Sequence, residues 1–85
     1  MMGGSLLVEQ SAALSANAAL AAARAQLHEA LRANDDHRRE QYAHAARDSA
    51  AEVLLNPTIS RSERDFAGDY FRDADRIVGG CRGIA

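Results

Sequence analysis

The sequence predicts an all-α chain of three helices. Nineteen of its 85 residues are Ala, the residue that enters a helix at least cost. Apolar residues recur three and four apart over long stretches, the spacing of one helical face. Two short segments, Asn34-Asp35-Asp36 and Asn56-Pro57, carry turn chemistry and divide the chain into three. The whole of 1–85 reads as a single helical domain.

Helix 1 is expected over residues 6–33, after a frayed 1–5. Ser5 can cap it, because its hydroxyl oxygen can accept from an orphan backbone N–H one turn in. No Gly or Pro interrupts the segment, and half of residues 12–33 are Ala. Leu6, Ala13, Ala16, Leu20, Ala23, Leu27, Ala30 and Leu31 share one face. Leu7, Leu14, Ala18, Ala21 and Ala25 widen it on one flank. Small Ala side chains let a neighbouring helix come close.

Asn34-Asp35-Asp36 supplies a turn and an N-cap, since short polar side chains bond nearby backbone in preference to continuing a helix. Helix 2 follows over 36–55, with Tyr42, Ala46, Ser49, Ala50, Val53 and Leu54 on its apolar face. His37, Gln41, His44, Asp48 and Glu52 fall opposite. Pro57 ends it, because the residue before a proline avoids the helical region. Ser60-Arg61-Ser62-Glu63 is a capping box that opens helix 3, expected over 61–78. Phe66, Ala67, Tyr70, Phe71, Ala74, Ile77 and Val78 form its stripe. Gly68 suggests a close backbone contact. Gly79-Gly80 is a stop signal, which leaves 79–85 as a flexible tail. The expected core is Tyr42, Val53, Leu54, Phe66, Tyr70, Phe71 and Ile77. Helix 1 should pack antiparallel to helix 2, with helix 3 folding back.

Ten Arg against twelve acidic residues give a net charge of −2, which excludes a polybasic or an acidic tail. No apolar run reaches the ~18 residues a membrane span needs, so no membrane partner is expected. The start has no basic region, so no secretory signal peptide is expected either. One cysteine, Cys81, cannot close an internal disulfide, and a cytoplasmic, reduced setting is expected. All ten cations are Arg and none is Lys. Together with the Ala content, this suggests the coding bias of a GC-rich genome, and a bacterial source is expected.

Leu, Ile, Val and Phe supply only sixteen residues, 19% of the chain, at the level where disorder begins to compete with folding. Ala gives helicity without much burial. The missing burial is expected from another protein, in the first place from a second copy. A helix 1 of about 42 Å would overhang its shorter neighbours. The interface expected for the homodimer is therefore Leu6, Leu7, Leu14, Leu20, Leu27 and Leu31. The function expected is non-enzymatic: a helical protein-interaction module with an adaptor, assembly or regulatory role and no cofactor.

Two alternatives follow from other residues. His37, His44 and Asp48 share the polar side of helix 2 and could belong to a His/carboxylate metal-binding bundle. Helices 2 and 3 could form a helix-turn-helix DNA-binding regulator whose helix 3 opens with Arg61 and Arg64. Glu63, Asp65, Asp69 and Asp73 interrupt that basic character and would repel phosphate, so no nucleic-acid partner is expected. No Gly-rich phosphate loop or triad spacing points to catalysis.

Overall fold

The computed structural model describes the backbone of residues 3–82 and the side chains of residues 16–80. Three helices follow in order, α1 (Gly3–Arg32), α2 (Asp36–Leu54) and α3 (Arg61–Arg82). α1 and α3 run one way, and α2 runs antiparallel between them. The Cα envelope measures 57 × 18 × 17 Å, so the fold is a rod.

Both turns are built from side chains that satisfy helix ends. Asp35 holds an extended backbone, and its Oδ1 accepts from the Arg38 N–H at 2.7 Å, capping α2. Arg39 reaches back across the turn. Its Nη2 donates to the Ala33 carbonyl at 2.8 Å and its Nη1 to Asp36 Oδ1 at 3.1 Å. One guanidinium thus occupies an orphan carbonyl at the end of α1. At the second turn, Asn56 Oδ1 accepts from the Thr58 N–H at 2.9 Å and the Thr58 hydroxyl at 2.6 Å. The capping box then forms in both directions. The Glu63 N–H donates to Ser60 Oγ at 3.1 Å, and the Ser60 N–H donates to Glu63 Oε1 at 3.0 Å. Those bonds favour the carboxylate and lower the Glu63 pKa below its ordinary 4.5, the backbone bond contributing most and the Ser60 side chain next.

Three clusters along the core each join one buried residue from every helix, and Ala16, Ala23 and Ala50 are buried beside them. The clusters are Ala19–Val53–Ala67, Leu27–Ala46–Ala74 and Ala30–Ala43–Val78. Leu20, Leu54 and Ile59 pack on the first, Tyr70 and Ile77 on the second, and Tyr42 and Ile77 on the third. Ala supplies most of the buried positions, and Val53 is the largest side chain closed off completely among the described residues. One polar clamp joins α1 to α2. Oriented so that its nitrogen faces acceptors, the Gln26 amide donates to the Ala45 carbonyl at 2.9 Å and lies 2.8 Å from Ser49 Oγ.

Several expectations are corrected. α1 begins at Gly3, so Ser5 lies inside the helix and is not its N-cap. α3 does not stop at Val78 but runs through Gly79-Gly80 to Arg82. A glycine stop requires a left-handed residue, and no glycine among the described residues has positive φ. Gly68 marks no close approach, since a Cβ placed there meets nothing within 4 Å. Phe66, assigned to the core, is 54% exposed. The centre of the α3 stripe is occupied by Ala67, Ala74 and Val78, so the bulkier Phe66, Tyr70, Phe71 and Ile77 are displaced to its flanks. Tyr42 and Leu54 are likewise half-buried.

Candidate functional site

These clusters fix how the helices stand beside one another. Ala19 is level with Ala67, Leu27 with Ala74, and Ala30 with Val78. Each α1 residue is thus level with an α3 residue about 48 positions later. By the same register Arg61 stands near residue 13, and α1 extends further back to Gly3.

α2 meets both neighbours through Ala43, Ala46 and Ala50, all fully buried. Small contact residues bring helix axes to the short end of the usual ~8–10 Å range, and α2 lies close to α1 and to α3. The third junction differs. α1 presents Leu20, Leu27 and Leu31 to it, and α3 presents Phe66, Tyr70 and Ile77. These larger side chains hold α1 and α3 apart, and the two approach one another least of the three pairs.

Two open hollows follow this α1/α3 seam. One is lined by Asn17, Leu20, Ala21, Arg24, Phe66 and Tyr70, the other by Leu27, Leu31, Asp73, Arg76 and Ile77. The floor is apolar. Phe66 and Tyr70 stack with ring centroids 6.4 Å apart and planes 22° apart, making a continuous aromatic edge on the α3 wall. Leu31, at 63% exposed, and Phe66 stand at opposite ends. Charge appears on both walls, Arg24 on α1 and Asp73 with Arg76 on α3.

Of the residues expected at an interface, Leu20 is half-buried in the seam and Leu31 is exposed on it. Leu27 is corrected: at 4% exposed it belongs to the chain's own core, against Ala46 and Ala74. The side chains of Leu6, Leu7 and Leu14 lie outside the described residues, as does Cys81. The part α3 plays in this seam is not legible in the sequence. Periodicity marks Phe66, Tyr70 and Ile77 as apolar but does not say which neighbour they face. Leu55, 83% exposed at the end of α2, stands apart from the seam.

The histidine face of α2 does not gather into a metal site. Among the described residues no group of three His, Cys, Asp or Glu side chains is placed to hold an ion. His37 and Asp48 are exposed. His44 instead joins a chain of polar contacts. Arg47 Nη2 lies 3.3 Å from His44 Nδ1, and His44 Nε2 lies 3.4 Å from Glu40 Oε1. Arg can only donate, so Nδ1 accepts and Nε2–H donates to Glu40. Arg47 Nη1 also bridges to Asp75 Oδ1 on α3 at 2.8 Å. This chain ties α2 to α3.

The basic residues of helix 3, considered for DNA, are interleaved with acid. Arg72 pairs with Asp69 on its own helix, and Asp75 takes Arg47 from α2. A shallow cleft beside them holds Arg64, Asp65, Asp69 and Arg72, so two cations face two anions. A second polar cleft, at the first turn, holds Glu29, Arg32, Asn34, Arg38 and Tyr42. Neither brings a nucleophile to a base. Among the described residues no helix is long and apolar enough to cross a membrane. No protein-family model matches the chain, and the comparisons with curated proteins and with solved structures found no match either.

Proposed function

We propose that this chain is a non-enzymatic helical module that works by binding protein through the α1/α3 seam, and that two copies pair there to complete a larger bundle. The observation that carries this is the placement of apolar mass. Leu31 and Phe66 stay 63% and 54% exposed on the seam, while Ala supplies most of the described core and Leu27, 4% exposed, is its largest buried side chain. Exposed apolar side chains flanked by charge are a usual mark of an interaction surface. Covering them would supply the burial that an Ala-filled core lacks. The backbone of α1 preceding residue 13 offers further helix to the pair. With this reading go an adaptor, assembly or regulatory role and no cofactor. The single cysteine supports a cytoplasmic setting, and the Arg-only cation set a bacterial source.

Sedimentation over a concentration series tests it. The wild type should show a species of twice 9.1 kDa. The variant Leu31→Glu/Phe66→Glu, altered only at exposed positions, should keep its helical circular dichroism and sediment as a monomer. A wild type that stays a monomer throughout, or a variant that pairs as well as the wild type, would overturn the reading.

A further inference from the structure

The geometry points to a parallel two-fold dimer in which Arg24 of each copy faces Asp73 of the other across the α1/α3 seam. This rests on the reading of the seam as a self-association surface and adds the orientation and the residues that set it.

The two residues lie on opposite sides of the α1/α3 seam, Arg24 on one hollow and Asp73 on the other. The 48-residue register puts them at nearly the same level along the rod. Both are exposed, and neither makes an ion pair with any described residue. Two copies joined face to face by a two-fold axis can meet in only two ways along a seam. With the axis along the rod, α1 of one copy covers α3 of the other at equal level. Leu20 then meets Phe66 and Tyr70 of the second copy, and Arg24 meets Asp73 twice, once on each side of the axis.

With the axis across the rod, like walls meet. The two hollows together span α1 from Asn17 to Leu31, so the midpoint of the seam is Arg24. Full antiparallel overlap therefore sets Arg24 against Arg24 and Asp73 near Asp73. Like charges placed together at an interface are strongly unfavourable, and opposite charges fix register and partner. At Arg24 and Asp73 the seam is thus self-complementary in the parallel arrangement and self-repelling in the other, with Arg76 one turn beyond Asp73 on the same wall.

Charge exchange tests this directly. Arg24→Asp alone and Asp73→Arg alone should each weaken self-association by ~tenfold or more. A 1:1 mixture of the two variants should recover the dimer, because every interchain contact then joins an acid to a base. The double variant Arg24→Asp/Asp73→Arg should pair with itself. Circular dichroism of each variant checks that the fold is kept. If both single variants self-associate like the wild type, or if the mixture gains nothing over its components, the parallel register is wrong. The second result would also be given by an Arg24–Asp73 pair within one chain. A wild type that never dimerises instead brings down the underlying reading of the seam, so the two failures are told apart.

Discussion

Leu27→Ala is the sharpest test of the core. Leu27 is the one large buried side chain in the middle cluster, 4% exposed, and its cluster partners are Ala46 and Ala74. Leu-to-Ala changes in cores cost about 2–5 kcal/mol, with the cavity term larger where neighbours cannot relax. Ala46 and Ala74 have no rotamers with which to fill the space, and each is fixed on a helix whose approach is already set by small residues. Tyr70 and Ile77 pack against the cluster from the seam side and could close only part of the gap. The loss should therefore lie in the upper half of the range, about 3–5 kcal/mol. A chain of this length has roughly 4–13 kcal/mol of total stability. For a domain of this size each kcal/mol shifts Tm by about 4–8 °C, so even ~3 kcal/mol lowers it by ~12–24 °C. The assay is thermal and urea unfolding followed by far-UV circular dichroism, at matched protein concentration because pairing would raise Tm. Leu55→Ala is the control. The same substitution at an 83% exposed site should stay within ~0.5 kcal/mol of wild type. If Leu27→Ala melts within ~2 °C of that control, the three-cluster core does not hold the fold.

Two further outcomes follow from the helix termini and backbone. Gly68→Ala should stabilise α3 by about 0.5–1 kcal/mol, because the site is helical and a Cβ there meets nothing; urea midpoints measure this, and a destabilised variant would show a contact at that position. Glu63 has its folded pKa lowered below the ordinary 4.5 by the Ser60 bonds. Its stabilising contribution is therefore complete above the unfolded value and is lost as pH falls through the folded one. Glu63→Gln should accordingly flatten the acid side of the stability–pH curve and leave its neutral side with a lower but pH-independent offset. An unchanged acid slope would refute that role for the capping box.

Helix identity and the turns were legible in the residues because their causes are local. Ala content and three/four spacing make helices wherever they occur, and Asp35 and the Ser60/Glu63 pair cap them through bonds only three residues long. The long-range polar contacts were not legible. Arg39 to Ala33, Gln26 to Ala45 and Arg47 to Asp75 depend on where a turn or a facing helix places a backbone or a carboxylate.

The site was half visible for the same reason. Sequence spacing correctly puts Leu20, Leu27 and Leu31 on one side of α1 and Phe66, Tyr70 and Ile77 on one side of α3. It cannot say which of them turns inward, because a helical stripe is wider than one neighbour can cover. Tertiary packing made that choice. Ala on both faces of α2 drew α1 and α3 tightly against it, Leu27 was enclosed between Ala46 and Ala74, and Leu31 and Phe66 were left outside. The helices are thus a property of the chain itself, whereas the seam and the charges on either side of it exist only because three rods of unequal girth had to share one axis.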